Sequence, residues 1–321
     1  MTAAGGPEVV TIGETMAALR ATGPIRLGPA MELSVAGAES NVAIGLARLG
    51  HRAGWVGRVG DDAFGTLVLR TLRAEEVDVT HARVDTDGRA TGLLVREDGI
   101  GDLAKVAYYR AGSAGSAIRP EEVLPALRPG LRVLHLTGIT PALGPSAAEA
   151  VAAAATRARE LGALVCLDVN YRAGLWNPEQ ARRLLLPLAR TADLLVASAD
   201  ELHLISDDPA LDESDAVAAL VARGRREVVV TRGGDGASAT DAHGTVSVAA
   251  HPVRVNDVIG AGDAFVAGYL SALLDGLDMA ARLQRAASTG AFAVAGRGDW
   301  EGLPTRADLA LLDQPAGTTL R

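Results

Sequence analysis

Short runs of β-branched and aliphatic residues recur along the chain, and longer stretches with an apolar face lie between most of them. The short runs cover residues 9–12, 53–56, 133–137, 165–169, 194–197 and 228–231. Apolar runs of this length are typical of strands that are buried on both faces. Because strands alternate with helices, we predict a mainly parallel sheet covered on both faces, the doubly wound α/β class.

The helical patterns have recognisable ends. In the pattern at residues 146–161, Ser146 and Glu149 have the spacing of a capping box, and Gly162 supplies a C-terminal stop. After residue 248 the chain turns helical. The patterns there are 264–274, 279–294 and a terminal helix at 306–312.

Two segments break the alternation of strands and helices. Residues 91–96 and 105–110 are short, partly alternating runs on either side of the turn-rich stretch 98–102, which predicts a hairpin. Residues 15–34 contain several Gly and Pro and no helical pattern, so we expect them to add strands to this hairpin. We therefore predict one core domain over the whole chain, with a small β-sheet lid formed by residues 15–34 and 89–112.

Composition and charge narrow the range of functions. The chain has 321 residues, of which 48% are hydrophobic and 22% charged, so we expect a folded globular protein. The formal net charge is −8 and no block of like charges is present, so we expect no nucleic-acid partner. An anionic ligand must then be held by local hydrogen-bond donors.

The single cysteine and the single lysine exclude several classes of site. Cys166 excludes disulfides and multi-cysteine metal sites, and it fits a reducing compartment. Lys105 has no glycine run before it, which excludes a Walker A loop, and its polar surroundings disfavour a Schiff-base enzyme. Because the sequence has neither a leader pattern nor an uncharged apolar run of about 18 residues, we expect a cytoplasmic protein without a membrane contact.

The strongest chemical signal is the segment NDVIGAGDAF at residues 256–265. Gly260 and Gly262 stand before a predicted helix, where backbone N–H groups can approach a phosphate or a transferring phosphoryl group. Asp263 stands at the helix start and could accept a proton from a substrate hydroxyl. The alternative is a helix-capping Asp in a tight turn.

Two further glycine clusters accompany this segment. Residues 35–50 contain small residues followed by a helical pattern that would place Asn41 near a cleft, although a loop and a core helix would have the same pattern. Residues 231–236 follow a predicted strand and could contact a nucleotide phosphate, although the cluster on its own favours a hairpin turn.

The three clusters together, in this order, resemble the ribokinase-like (PfkB) carbohydrate kinases over nearly the whole chain. The two signatures of that family are matched by residues 41–50 and by Gly260-Ala261-Gly262-Asp263. The resemblance implies a Rossmann-like core, a β-sheet lid, ATP with Mg²⁺, and phosphorylation of a sugar hydroxyl. It also implies that Asp263 is the catalytic base and that Gly260, Ala261 and Gly262 form the anion hole.

Within the family, several segments resemble the kinases that act on the sugar acid 2-keto-3-deoxygluconate. They are residues 37–41, 108–114, 136–139, 168–172 and 298–299. The resemblance implies substrate contacts at Gly37, Asn41, Tyr108, Arg110, Ile139, Arg172, Asp263 and Asp299. It implies nucleotide contacts at Asn170, Ser198, Thr231, Gly233, Gly236, Gly260 and Gly262.

The expected chemistry agrees with this subgroup, because a sugar acid needs cations. Arg110 and Arg172 each follow a tyrosine near a predicted strand end, where they could bind the carboxylate. The alternatives are that Arg110 is a solvated lid residue and that Arg172 belongs to an ion pair of the core.

The sequence departs from the family pattern in three places. Ala36 replaces the first glycine of a common pair, and Val258-Ile259 stands where a threonine is usual before the Gly-Ala-Gly-Asp signature. The Asn-x-x-Glu motif for magnesium and phosphate aligns with Ser198 and Glu201, so only the glutamate is retained. We therefore expect Glu201 to contact Mg²⁺ through water.

Other classes fit less well. An NAD-dependent dehydrogenase would need Gly-x-Gly-x-x-Gly after the first strand, where Gly13-Glu14-Thr15 stands. A zinc hydrolase would need a His-Glu-x-x-His pair, and a non-catalytic sugar-binding protein would not need Asp263. The remaining alternatives are a fructokinase, a ribokinase or a 5-dehydro-2-deoxygluconokinase. Since a small sheet rarely stands alone, we also expect a homo-oligomer that forms through the lid.

Overall fold

The computed structural model describes residues 5–98 and 104–313. Its strands are β1 (Val9–Ile12), β2 (Met16–Ala21), β3 (Met31–Ala36), β4 (Ala53–Val56), β5 (Arg58–Gly60), β6 (Arg83–Asp85), β7 (Leu93–Asp98), β8 (Ala104–Tyr109), β9 (Val133–Thr137), β10 (Leu164–Asp168), β11 (Leu194–Ser198), β12 (Glu227–Thr231), β13 (Ala237–Asp241) and β14 (Gly244–Val248). Its helices are α1 (Ala38–Arg48), α2 (Ala63–Ala74), α3 (Pro120–Val123), α4 (Ile139–Ala142), α5 (Pro145–Glu160), α6 (Pro178–Thr191), α7 (Glu213–Ala222), α8 (Ala261–Leu274) and α9 (Met279–Ala295).

The larger sheet is mostly parallel. Its eight strands lie in the order β14-β13-β12-β11-β10-β9-β1-β4. The neighbours among β12, β11, β10, β9, β1 and β4 pair in parallel. Strands β13 and β14 extend the sheet as antiparallel strands at one edge. Because parallel strands need crossover connections, helices cover both faces of this sheet.

Each face of the large sheet carries its own apolar core. On one face, Val10, Leu134 and Leu167 belong to a cluster that includes the buried alanines of α5. On the other face, alternate residues such as Val9 and Val196 pack in a cluster with α1, α8 and α9. Alternate residues of each strand therefore contribute to two different cores, one on each face of the sheet. This arrangement confirms the predicted doubly wound α/β class.

A smaller, separate sheet has the order β3-β2-β7-β8. It contains the predicted hairpin, since β7 and β8 pair as antiparallel strands, and the expected additional strands, since β2 pairs with both β3 and β7. The predicted turn between the hairpin strands lies at residues 98–102, most of which are outside the described residues. A further two-stranded pairing joins β5 to β6.

Three details of the predicted helices are wrong. The capping box at Ser146 is absent, because α5 begins one residue earlier at Pro145, with Gly144 as N-cap and no side-chain cap. Proline favours the first helical position, so it sets the start of the helix. The predicted terminal helix is instead a short 3₁₀ helix, Asp308–Asp313. Helix α8 begins at Ala261, three residues before the predicted start.

The described residues contain no helix that is long and apolar enough to cross a membrane. Cys166 is buried in β10.

Helices α1 and α8 pack closely where Gly45 meets Ala267. A Cβ added at Gly45 would lie 2.7 Å from the Cβ of Ala267 and 3.6 Å from Leu303 Cδ1. This contact fixes the distance between the two helices that begin beside the candidate site.

We expect Gly45→Ala to lower the free energy of unfolding by about 1–3 kcal/mol, because overpacking a fixed helix contact outweighs the better helix propensity of alanine. Gly290→Ala in α9 is the matched control, since its added Cβ would first meet the Ala261 carbonyl oxygen at 3.7 Å. Urea unfolding of both variants measures the difference. Equal changes in the two variants would contradict this account of the packing.

Candidate functional site

The carboxyl ends of several parallel strands meet the N-terminus of α8 on one side of the large sheet. Asp168 ends β10, and the Asn170 side chain that follows donates to it at 3.2 Å. Glu201 follows β11 and accepts from the Tyr171 amide at 2.6 Å. Ligands of doubly wound folds bind in the crevice outside the carboxyl ends of the strands, so this side is the expected place for a site.

The start of α8 presents first-turn backbone amides, of which the Ala261 amide donates weakly to the Val258 carbonyl oxygen at 3.4 Å. Gly260 is the N-cap with a φ of 75°, a conformation that favours glycine. A Cβ on Gly260 would lie 2.0 Å from the Asp299 carbonyl oxygen, whereas a Cβ on Gly262 would meet no atom within 4 Å. The first-turn amides of a helix have no intrahelical partner, and the helix dipole favours negative charge there. This arrangement suits an anion over Ala261 and Gly262.

Asp263 lies in the first turn of α8 and is buried, with 8% of its surface exposed. The Asn41 side-chain amide donates to its carboxylate at 2.8 Å. Burial raises the pKa of Asp263 to about 7, against the opposing effects of the Asn41 hydrogen bond and the Arg172 charge. The alternative of a capping aspartate is wrong, because Gly260 occupies the N-cap position. A carboxylate with a pKa near neutrality is suited to accept a proton at physiological pH.

A second buried acid, Asp168, lies next to this aspartate. Burial, followed by the negative charges of Glu201 and Asp263, raises the pKa of Asp168 to about 8. Asn170 has a φ of 41°, unusual outside glycine, and its Oδ1 atom is buried without a hydrogen-bond partner among residues 5–98 and 104–313. The Oδ1 atom of Asn41 is in the same situation. Two unpartnered acceptors beside two acids indicate groups that are prepared for a bound ligand.

Asp299 approaches the same region from the turn after α9. Burial, followed by the charges of Asp263 and Glu301, raises the pKa of Asp299 to about 7. It lines a cavity of about 360 Å³ whose wall also includes Leu94 of β7 and Ser34 of β3. The cavity therefore lies between the smaller sheet and the turn at residues 298–301.

The two arginines proposed for a carboxylate have different surroundings. Arg110 is not solvated: its Nε donates to Glu14 at 2.7 Å, and its guanidinium lies 5.8 Å from the centre of the Tyr108 ring. Arg172 is exposed, and its hydrogen bond within the described residues is to the Tyr171 carbonyl at 3.3 Å. Its charge reaches Asp263 and Asp168. The alternative of a core ion pair for Arg172 is therefore wrong.

The other predicted substrate residues lie at the starts of α1 and α4 and on β8. Gly37 is the N-cap of α1, and a Cβ there would lie 2.5 Å from the Glu14 carbonyl oxygen. Ile139 begins α4 and is buried. Tyr108 is half exposed on β8. The structure thus places Asn41, Asp263, Arg172 and Asp299 together and puts Arg110 beside the first turn of the chain after β1.

Four of the predicted nucleotide residues lie at the ends of β11 and β12, whereas Asn170 follows β10 and Gly260 and Gly262 stand at the start of α8. Ser198 and Thr231 are register partners on these strands. Gly233 begins a 3₁₀ turn, and Gly236 follows it and leads into β13, so residues 231–236 form a hairpin turn. Gly233 has open space around its α-carbon, whereas a Cβ on Gly236 would lie 2.0 Å from the Val248 carbonyl oxygen.

The carboxylate of Glu201 is held by backbone amides. Ser198 N–H donates to one oxygen at 2.8 Å, and Tyr171 N–H donates to the other at 2.6 Å. In the part of the chain that the structure describes, no group of three or more His, Cys, Asp or Glu side chains is placed to hold a metal ion. A metal at this position would therefore have to keep most of its water.

Sequence reasoning missed two residues of the site. Glu14, the partner of Arg110, stands directly after β1 and is 2% exposed. Asp168 belongs to the segment 168–172, from which Asn170 and Arg172 were predicted as site residues. An acidic residue in an apolar strand does not by itself indicate which residues lie next to it. Both are acids at the end of a buried strand, and that position was the available signal.

Comparisons with known proteins agree with this geometry. A family model described as "pfkB family carbohydrate kinase" matches residues 7–306. A 2-dehydro-3-deoxygluconokinase from Bacillus subtilis is 35% identical over 309 residues, 94% of each chain. A 2-dehydro-3-deoxygalactonokinase from Haloferax volcanii is 33% identical over 299 residues, 91% of this chain and 92% of the relative.

A solved sugar-kinase structure has a similar fold. The fructokinase from Vibrio cholerae in its fructose-, ADP- and calcium-bound form superposes with a TM-score of 0.82 and 27% sequence identity. The match covers 95% of this chain and 98% of the fructokinase.

Proposed function

Because this chain belongs to the pfkB family of carbohydrate kinases, we propose that it phosphorylates 2-keto-3-deoxygluconate (2-dehydro-3-deoxygluconate) to its 6-phosphate. The chain is an ATP-dependent sugar kinase. The observation that carries the proposal is the buried Asp263 carboxylate in the first turn of α8, which interacts electrostatically with the exposed Arg172 charge.

Asp263 is the proposed general base. Its carboxylate accepts the proton of the terminal sugar hydroxyl while the hydroxyl oxygen attacks the γ-phosphorus of ATP. The new P–O bond forms as the bond from the γ-phosphorus to the bridging oxygen breaks, and ADP leaves with that electron pair. Burial supports this role, because it keeps the pKa of Asp263 near 7 and so gives the carboxylate a useful proton affinity.

The first turn of α8 is the proposed anion hole. The amides near Gly260, Ala261 and Gly262 face the side on which negative charge develops on the phosphoryl oxygens. The fixed donors need no rearrangement when the charge moves. Gly262 supports this role, because the space beside its α-carbon is open.

Arg172 is the proposed residue that binds the substrate carboxylate, assisted by Tyr108 and Arg110. Arg110 is neutralised by Glu14, so we assign it a positioning contact. Arg172 has no carboxylate partner among its hydrogen bonds within the described residues, and its guanidinium can form a bidentate pair with the sugar acid. The net charge of −8 makes such a dedicated cation necessary for an anionic substrate.

ATP and Mg²⁺ are the proposed cofactors. The residues fit them, because the α8 amides, open Gly233 and the unpartnered Oδ1 of Asn170 surround the ends of β10 to β12. We propose that Glu201 holds Mg²⁺ through water, since both of its oxygens keep lone pairs beyond the two amide bonds. Bound Mg²⁺ would neutralise phosphate charge, and it usually retains several waters.

The smaller sheet is the proposed lid over the sugar, within a single domain. Its outer face exposes Met31, Leu33 and Tyr109, and we propose that a second copy of the chain covers this face in a homo-oligomer. A cytoplasmic location is consistent with the single buried Cys166.

We expect Asp263→Asn to lower kcat by about 10²- to 10⁴-fold, since the amide cannot accept the proton. ATP affinity and Tm should stay the same or rise, because a buried carboxylate is removed. Coupled ADP release measures kcat, and Asp278→Asn is the matched control, since Asp278 caps the start of α9 and asparagine caps equally well. A rate for Asp263→Asn above about a tenth of the wild-type rate would place the base elsewhere.

We expect Arg172→Ala to lower kcat/KM for 2-keto-3-deoxygluconate by about 10- to 150-fold, because a hydrogen bond to a charged group contributes roughly 1.5–3 kcal/mol. The value for fructose should change little. Arg183→Ala, an exposed residue of α6, is the control. An unchanged ratio between the two sugars would show that other residues read the carboxylate, and a wild-type preference for fructose would favour a fructokinase.

A further inference from the structure

A buried ion pair joins the smaller sheet to the loop that precedes α8. Arg96 of β7 donates to Asp257 at 2.6 Å, and the two side chains are 10% and 1% exposed. Arg20 of β2 adds a second guanidinium 3.8 Å from the same carboxylate. The pair therefore connects two strands of one sheet with a loop that belongs to the large core.

The Asp257 carboxylate also holds two backbone segments of the site. Its Oδ1 accepts from the Ile259 amide at 3.1 Å, and its Oδ2 accepts from the Gly298 amide at 3.1 Å. Although burial alone would raise it, the Arg96 hydrogen bond and these amides hold the pKa of Asp257 below its ordinary value. The charged Asp257 carboxylate thus holds the backbone of both the loop before α8 and the turn that carries Asp299.

The three segments that meet at Asp257 each carry a group of the proposed reaction. The loop leads into Gly260 and the α8 amides, the turn carries Asp299, and β7 pairs with β8, which carries Tyr108. Gly260 and the Asp299 carbonyl are in close contact, so a shift of either segment moves the other. Arg96 and Asp299 also line the same 360 Å³ cavity.

Stability alone does not explain a buried pair at this place. Replacing such a pair by apolar residues is often neutral or stabilising, because both charges must be desolvated. Its specific effect is on geometry, since it fixes the distance between elements that share no strand pairing.

We propose that Arg96 is a positioning residue. Its ion pair with Asp257 holds the loop before α8, residues 256–260, at a fixed distance from the smaller sheet. Sugar bound at that sheet then lies next to an anion hole that is already formed. The inference rests on the proposed kinase function. Because Arg96 acts through Asp257 and the loop before α8, we assign it no contact with the transferred phosphoryl group.

The test compares Arg96→Gln and Arg96→Lys with Arg58→Gln. Arg58 forms an equally buried pair with Asp85, with side chains 7% and 0% exposed, away from the α8 loop. Each variant is examined by steady-state kinetics with the sugar that the wild type uses best. Hydrogen–deuterium exchange of residues 256–262 provides a readout that does not depend on activity.

For Arg96→Gln we expect a kcat loss of about 10- to 100-fold with KM for ATP nearly unchanged, because misplacement of about 1 Å can cost this much in rate. Exchange in residues 256–262 should become faster. Arg96→Lys should recover part of the lost kcat and part of the protection of residues 256–262 from exchange. Arg58→Gln should lower Tm and leave both kcat and the exchange of residues 256–262 unchanged.

Unchanged loop exchange in Arg96→Gln would overturn the inference, as would equal kcat losses in Arg96→Gln and Arg58→Gln. If the wild type released no ADP with any sugar, the proposed function would fail, and the exchange comparison would still decide whether Arg96 holds the loop.

Discussion

The buried Asp263 carboxylate at the start of α8 is central to the electrostatics of the site, because its charge also raises the pKa of Asp168 and of Asp299. Removing Asp263 from water disfavours its charged form, while the helix dipole and the Asn41 amide favour it. The balance leaves its pKa near 7. The packing of Gly45 on Ala267 supports this balance, because it holds α1, and therefore Asn41, against α8.

The arginines around the cleft divide into two groups by their partners. Arg110 and Arg96 are buried against Glu14 and Asp257, where they fix the smaller sheet to the core. Arg172 is exposed, and its charge interacts with the buried carboxyl groups of Asp263 and Asp168. An arginine that binds an anionic substrate needs a guanidinium group that no carboxylate of the protein already occupies. Arginine therefore stabilises the structure at positions 96 and 110 and is available to bind substrate at position 172.

The sequence patterns predicted the layered fold and the hairpin of the smaller sheet, because apolar period and turn residues are local signals. The resemblance to the PfkB kinases, and not a local pattern, predicted that Asn41 and Asp263 belong to one site. The missed features are non-local. The pairs Glu14–Arg110 and Arg96–Asp257 join residues 96 and 161 positions apart, and no local pattern encodes them. The capping box at Ser146 failed because the adjacent Pro145 sets the helix start.

The pH dependence of kcat/KM tests whether Asp263 is the base, since it reports titration of the free enzyme. A base must be deprotonated, so kcat/KM should rise with pH through about 7 and level off above it. Because the Asn41 bond lowers the pKa of Asp263, Asn41→Leu should move this midpoint to higher pH. Asp299 and Asp168 also titrate near this range, and only the shift with Asn41 assigns the midpoint. A flat profile, or a midpoint that Asn41→Leu leaves unchanged, would contradict the claim that buried Asp263 is the base.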